Sequence, residues 1–282
     1  MGQGVRVGVP PSSVKRQPME RASDKFQCSI LGKMATAGDR EVRIDPHTGQ
    51  RFVTGDDIIE EKRPVVSEKH FEYIRDRTVQ EDEALANLKK KAIEKGMPPI
   101  WISPEQGAFM KTLLGLAGAK TVIEVGTLAG YSAIWMARAL PEGGKVHSLE
   151  IDADFAAFAA ERIDEAGESS KVQIHVGDAK DTLRKMKEGG IEGVVPGEVD
   201  ACFLDGDKVS YQHYANEAKA LLRPGGMLLV DNAFAFGHLF SKDHKDEDVR
   251  AIQAFNDYLH GDSDYEGVLM PIGDGLWVTR KL

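Results

Sequence analysis

From Gly118 onward the chain alternates short apolar runs with longer segments of helical period, and this alternation restricts the fold more than any other feature. Thr121–Val125, Lys145–Ile151, Val172–Val176, Val199–Leu204 and Met227–Val230 read as strands. Tyr131–Leu140, Asp154–Ala166, Ala179–Lys187, Tyr211–Leu222 and Asp246–Leu259 read as helices. Strands that are apolar throughout need helices on both sheet faces. The pattern predicts an α/β fold with a doubly wound, mostly parallel sheet. The end of the chain differs. Tyr265–Pro271 and Leu276–Arg280 flank Ile272-Gly273-Asp274-Gly275, and the Asp-Gly pair favours a tight turn. An antiparallel C-terminal hairpin at the sheet edge is expected.

Ahead of this region, residues 67–116 read as an N-terminal helical extension. Ser67 can cap a first helix carrying Phe71, Ile74 and Thr78. Glu81–Lys95 forms a second, stopped by Gly96 and Pro98. Pro104–Leu116 forms a third, with Ser103 as cap. Residues 1–66 read as a separate arm. Within it, Asp45-Pro46-His47-Thr48-Gly49 is a turn that Arg40–Ile44 and Gln50–Val53 can flank as a small hairpin. Residues 1–24, with several Gly, Pro and Ser, read as a flexible tail or as an arm that orders against a partner.

A chain of 282 residues with 41% hydrophobic and 29% charged residues can bury one sizeable core. The net charge of -9 argues against nucleic acid and anionic membrane as partners. There is neither an apolar run of about 18 residues nor a signal-peptide stretch, so a cytoplasmic location is the default. Cys28 and Cys202 are the two cysteines; Cys202, in Ala201-Cys202-Phe203-Leu204, reads as a reduced core thiol.

Two groups of residues carry the chemistry. Glu124-Val125-Gly126-Thr127-Leu128-Ala129-Gly130 follows the first core strand and opens a helix. It has neither the GxGxxG spacing nor the Lys-Ser/Thr ending of a P-loop. Its glycines still let the backbone approach a nucleoside at the carboxyl end of the sheet. Glu150 closes the next strand, 24 residues past Gly126, where a carboxylate can take ribose hydroxyls. Gly177-Asp178-Ala179 follows the third, placed to flank a base or to cap a helix. The second group is Asp205-Gly206-Asp207-Lys208 with Asp231-Asn232, each following a core strand. Two carboxylates and an amide oxygen make a hard-oxygen donor set suited to Mg²⁺ or Ca²⁺, or to Mn²⁺. The same acids can instead cap local turns.

These stretches, with Tyr131-Ser132, Ser148-Leu149-Glu150-Ile151-Asp152, Leu228-Leu229-Val230-Asp231-Asn232 and Pro271-Ile272-Gly273-Asp274-Gly275-Leu276, give a specific likeness. The chain resembles the cation-dependent class I O-methyltransferases, the group of catechol and caffeoyl-coenzyme A O-methyltransferases, over about residues 102–282. The resemblance implies a Rossmann-like sheet, S-adenosylmethionine as cofactor, and a homodimer. It implies that Glu124, Gly126, Tyr131 and Ser132 line the methionine end of the cofactor. Glu150 would take the ribose, and Asp178 and Ala179 would lie near the adenine. Asp205, Asp231 and Asn232 would hold the cation, and Lys208 would accept or stabilise the acceptor proton. Gly206 stands where the family usually has Ala.

The implied reaction is in-line methyl transfer to a small catechol-like aromatic hydroxyl, with Asp205 and Lys208 at the reacting end. A free lysine titrates near 10.4, so a base role near pH 7 needs about 4–5 kcal/mol of differential stabilisation. Tyr211, Phe234, Phe236 and Trp277 are aromatic candidates for the acceptor side, and His238 and His244 read as loop residues. The competing readings are an NAD-linked oxidoreductase, which the missing GxGxxG disfavours, and a non-catalytic nucleoside-binding or scaffold protein.

Overall fold

The computed structural model describes residues 35–37, 40–44, 51–54, 68–78 and 81–282. The chain divides into two units, Met1–Ser67 and Glu68–Leu282. The first holds a three-stranded antiparallel sheet, β1 (Ala35–Ala37), β2 (Arg40–Ile44) and β3 (Arg51–Thr54), in that order. The hairpin expected from the sequence is β2–β3, with β3 beginning and ending one residue later; the turn between them, residues 1–24 and Cys28 lie outside the described residues.

The second unit begins with three helices, α1 (Glu68–Thr78), α2 (Glu83–Glu94) and α3 (Pro104–Leu116). Asp82 caps α2 by accepting from the Leu85 amide, and Ser103 caps α3 by accepting from Gln106. Pro104 then occupies the first turn, where a missing N–H costs nothing. There follow β4 (Thr121–Val125), α4 (Tyr131–Ala137), β5 (Lys145–Glu150), α5 (Ala153–Glu165), β6 (Val172–Val176) and α6 (Ala179–Lys187). The rest comprises β7 (Val199–Leu204), a 3-10 turn (Lys208–Ser210), α7 (Tyr211–Leu221), β8 (Leu222–Val230), α8 (Glu247–His260), β9 (Tyr265–Met270) and β10 (Leu276–Lys281).

The strand order is β6-β5-β4-β7-β8-β10-β9. The first five strands of that order are parallel, and β10 runs antiparallel to both β8 and β9. The doubly wound sheet with a terminal hairpin is therefore present. Alternation along each strand sorts side chains to two cores. Val122, Val146, Ala201, Phe203 and Leu229 face the cluster built with α2 to α5. Ile123, Leu149, Cys202, Leu204 and Leu228 face the one containing residues of α6, α7 and α8. The Cys202 thiol is free and fully buried, and burial pushes its pKa upward, as suits a reduced core residue.

Two elements depart from the expected bounds by more than two residues. The helix expected over Tyr131–Leu140 ends at Ala137, where the Ala139 and Leu140 amides bond to Met136 and Ala137 in tighter turns, and Lys171 Nζ donates to the carbonyls of Ala137 (3.2 Å) and Leu140 (2.8 Å). β8 starts five residues before the expected Met227, because its register against β7 jumps from Val199↔Leu222 to Ala201↔Met227. The intervening Arg223–Gly226 form a bulge, where Pro224 needs no ladder hydrogen bond. Close packing of α3 on α4 requires Gly107: a Cβ there would meet the Trp135 ring at 2.5 Å.

The chain leaves β4 outward to β5 and β6, then returns to place β7 on the other side of β4. That reversal opens a crevice at the carboxyl ends of the strands. Backbone bonds tie the loops there into a staircase: Gly177 N to Glu150 O, Gly126 N to Leu149 O, Asp205 N to Val125 O, and Asp231 N to Leu204 O, at 2.8–3.0 Å.

Candidate active site

The turn after β4 approaches β7 so closely that only glycine fits. Gly126 has φ +102°, and a Cβ on it would lie 2.5 Å from the Asp205 carbonyl oxygen. Leu128, two residues on, also has positive φ (48°). Its amide donates to Glu150 Oε2 at 2.7 Å, and the Asp152 amide donates to Glu150 Oε1 at 2.9 Å. Glu150 is thereby fixed at the end of β5, with lone pairs left for ligand hydroxyls.

Behind the turn lies a buried polar chain. Ser132 Oγ donates to Glu124 Oε1 and Ser148 Oγ to Glu124 Oε2, both at 2.5 Å. Thr127 Oγ1 and Ser148 Oγ are also 2.5 Å apart. Glu124 is fully buried, and burial pushes its pKa up to about 8, opposed by the two serine hydroxyls and assisted by Asp205 and Glu150.

The crevice encloses about 710 Å³, within the range of small-ligand sites. Its wall includes Gly126, Tyr131, Ser132 and Glu150, with Asp178 and Ala179 beside them. Glu124 does not line it; Ser132 stands between. Asp178 caps α6 by accepting from the Lys180 amide at 2.7 Å, so capping and a place on the wall coincide. Tyr131 is held by Glu81, which accepts from its hydroxyl at 2.6 Å and is itself paired with Lys89. Burial, with Glu81 next, pushes the Tyr131 phenol pKa up. Glu81 precedes α2 and was legible only as helical sequence.

The wall continues through Asp205, Lys208, Asn232 and Phe236. Asp205 and Asp231 leave the adjacent strands β7 and β8. Lys208 Nζ donates to Asp205 Oδ1 at 2.9 Å and to Tyr211 Oη at 2.8 Å, and Tyr211 Oη donates to the Asp231 carbonyl at 3.4 Å. Asp231, 5% exposed, stands behind the wall, and its Oδ1 accepts from Gln106 Nε2 at 2.7 Å. Asn232 has φ +60°, and its Nδ2 donates to Asp274 Oδ2 at 3.2 Å. Burial raises both carboxyl pKa values. Asp231 reaches about 7, with the Asp205 charge adding to burial and Gln106 opposing it; Asp205 is raised by burial against the pull of Lys208. Among the described residues, no three His, Cys, Asp or Glu side chains are grouped to hold a metal, so any cation here would need the Asn232 amide beside the two acids.

The remaining candidates divide. Asp207 also lines the cavity, but its carboxylate is engaged locally, accepting from the Ser210 amide at 3.0 Å and from the Tyr214 hydroxyl. Tyr211 is buried beneath Lys208, and Trp277 Nε1 donates to Asn256 Oδ1 at 2.7 Å. Phe236 is the aromatic of that group on the cavity wall, 48% exposed and with φ +56°. His238 and His244 lie against each other at a tilt of 32°, with ring centroids 4.5 Å apart. Gln106, Ser148 and Asp274 had no role in the sequence reading. Of these, Asp274 gave a signal as the centre of a Gly-Asp-Gly turn, and Ser148 stood in the stretch leading to Glu150.

Comparisons with known proteins agree with this geometry. An O-methyltransferase family model matches residues 75–282. A catechol O-methyltransferase of Niastella koreensis is 39% identical over 198 residues, covering 70% of this chain and 87% of that protein. Tricin synthase 2 of Oryza sativa subsp. japonica is 29% identical over 281 residues, covering 96% and 94%. Among solved structures, the O-methyltransferase TomG of Streptomyces achromogenes in complex with SAM superposes with a TM-score of 0.68 at 33% identity, covering 76% of this chain and 96% of that one. An O-methyltransferase of Bacillus cereus in complex with SAH gives a TM-score of 0.69 at 28% identity, covering 75% and 96%. With a Rossmann-like sheet, a glycine turn over a nucleoside-sized crevice and a family match over most of its length, the chain belongs to the class I S-adenosylmethionine-dependent O-methyltransferases.

Proposed function

We propose that the protein methylates a hydroxyl of a small catechol-like aromatic compound, using a divalent cation held by Asp205, Asp231 and Asn232. The observation that carries this reading is the pair of buried carboxyls on adjacent strand ends, each with a raised pKa and the nearer to Lys208 only partly compensated. The one lysine beside these two acids leaves their charge incompletely compensated, and a hard cation is the natural complement to their oxygens. Mg²⁺ is the first choice, with Ca²⁺ or Mn²⁺ able to use the same donors. The likeness to a catechol O-methyltransferase supports the acceptor class.

When bound, the cation would favour the ionised form of a chelating hydroxyl. The chain's own residues do the rest. Glu150 takes the ribose of S-adenosylmethionine, Asp178 and Ala179 flank the adenine, and Tyr131 and Ser132 close the methionine end, with Glu124 behind Ser132. Fixing donor and acceptor in one crevice removes much of the entropic barrier to an in-line transfer. Lys208 spends two of its three N–H donors on Asp205 and Tyr211, leaving one for the developing oxyanion. A pH–rate profile of Lys208→Met separates this role from proton acceptance: a stabiliser lowers the rate and keeps the titrating limb, and a base removes the limb.

The test of the reaction is mass spectrometry of the enzyme incubated with S-adenosylmethionine, Mg²⁺ and a panel of catechols and monophenols. Gain of one methyl group on the catechols is expected. Equal methylation of monophenols contradicts chelation, and no gain on any hydroxyl contradicts the acceptor class. The proposal extends to a cytoplasmic homodimer, for which light scattering tests the assembly. Among the described residues, no helix is long and apolar enough to cross a membrane.

A further inference from the structure

The turn between β9 and β10 packs against the Asn232–Phe236 segment, whose Asn232 and Phe236 line the crevice. Asp274 sits at its centre, between two glycines of positive φ, Gly273 (56°) and Gly275 (83°). A Cβ on Gly273 would collide with Gln106 Oε1, and one on Gly275 would lie 2.7 Å from the Phe234 ring. Both glycines are thus required for the turn to come this close. What the approach delivers is one carboxylate oxygen. Asp274 Oδ2 accepts from Asn232 Nδ2 at 3.2 Å and from the Phe236 amide at 2.8 Å. The backbone reinforces the contact: Phe234 N donates to Asp274 O at 2.7 Å and Ala233 N to Gly275 O at 2.9 Å.

The segment so held is strained. Asn232, Ala235 and Phe236 all have positive φ, at 60°, 53° and 56°. A bulky residue in that region costs on the order of 1 kcal/mol or more and persists only where its surroundings enforce it. A carboxylate oxygen offers no proton, so the atom of the Asn232 amide that meets it must be the nitrogen. The amide oxygen is then turned away from Asp274. A single side chain therefore fixes both the orientation of the Asn232 amide and the position of Phe236 on the cavity wall.

We propose that Asp274 is a positioning residue for methyl transfer, which aims Asn232 Oδ1 at the cation and holds the Asn232–Phe236 segment at the acceptor mouth. This rests on the cation reading above, and the test separates the two. Binding of Mn²⁺ alone to the full-length protein is followed by electron paramagnetic resonance, without S-adenosylmethionine or acceptor. Asp274→Ala is expected to weaken Mn²⁺ binding about 10–100-fold, as for other residues that orient a metal ligand. It is also expected to speed amide hydrogen exchange at residues 233–237 and to leave S-adenosylmethionine affinity unchanged. Asp274→Asn, which keeps an acceptor oxygen, should recover most of the loss. In an Asn232→Ala background, Asp274→Ala should add little further loss of Mn²⁺ affinity, because the two act through one contact. Wild-type Mn²⁺ binding and exchange in Asp274→Ala would overturn the role of Asp274 alone. Parallel loss of Mn²⁺ and S-adenosylmethionine affinity in both Asp274 variants would also overturn it, as general disruption. A wild-type protein that takes up no Mn²⁺ would overturn the cation reading itself.

Discussion

Gln106, in the first turn of α3, donates its amide to Asp231 Oδ1 at 2.7 Å, joining residues 125 positions apart in the chain. Both are buried, at 1% and 5% exposure, so neither can turn to solvent for a partner. The contact makes the helical extension part of the site: α3 supplies the hydrogen bond that steadies a carboxyl already destabilised by burial and by Asp205.

Replacing Gln106 with Leu should therefore leave an unpaired buried acceptor. A loss of about 1–3 kcal/mol in unfolding free energy is expected from urea titration at pH 8. The pKa of Asp231 should rise further, since one of the groups that oppose its elevation is removed. An unchanged unfolding midpoint would show that the bond contributes nothing.

The contact between Gly126 and Asp205 gives a second prediction. At φ +102°, with the Asp205 carbonyl in the space a Cβ would fill, Gly126→Ala must displace one strand-end loop. The expected result is a stability loss of about 1–3 kcal/mol. S-adenosylmethionine affinity should fall with it, as calorimetry can measure. Unaltered affinity would mean that this turn does not shape the cofactor cleft.

Acid sensitivity is expected from a different pair. His147 on β5 is fully buried, and its Nδ1 lies 3.1 Å from Nε2 of His175 on β6. Its Nε2 has no hydrogen-bond partner among the described residues. Burial first, then the neighbouring His175 and Lys145, lower its pKa from 6.5 to about 4. The unfolded chain therefore binds a proton here at a higher pH than the folded one. The stability this group contributes is complete above pH 6.5 and declines as the pH falls toward 4, by up to about 3 kcal/mol. His147→Phe should flatten that limb of the stability–pH curve measured by denaturant titration. A limb of unchanged slope would assign acid sensitivity elsewhere.

Much of the fold was legible because period carries it. Apolar strands such as Thr121–Val125 and Val199–Leu204, and capped helices such as Pro104–Leu116, have the expected bounds. The departures come from long-range contacts. Lys171, in the turn before β6, bonds to the carbonyls at the end of α4, and the Arg223–Gly226 bulge lengthens β8 beyond its apolar core. The candidate site follows the same division. Glu150, Asp205 and Asn232 were readable as polar residues at strand ends, and all three line the crevice. The residues that hydrogen-bond to Asp231 and Asn232 were not. Gln106 and Asp274 lie 125 and 42 positions from the side chains they hold, a separation that neither period nor motif encodes. Likewise Ser148 gains its role only because β5 sets it against Glu124 on β4.

On the proposed function, Asp205, Asp231 and Asn232 make the transfer depend on a cation. The most direct test of this dependence is the initial rate of methyl transfer from S-adenosylmethionine to a catechol by chelator-treated enzyme, before and after Mg²⁺ is returned. The rate should fall to near background and recover with Mg²⁺ in the wild type, and should not recover in Asp205→Ala. Undiminished transfer in the presence of chelator, or a full rate in Asp205→Ala, would contradict the account.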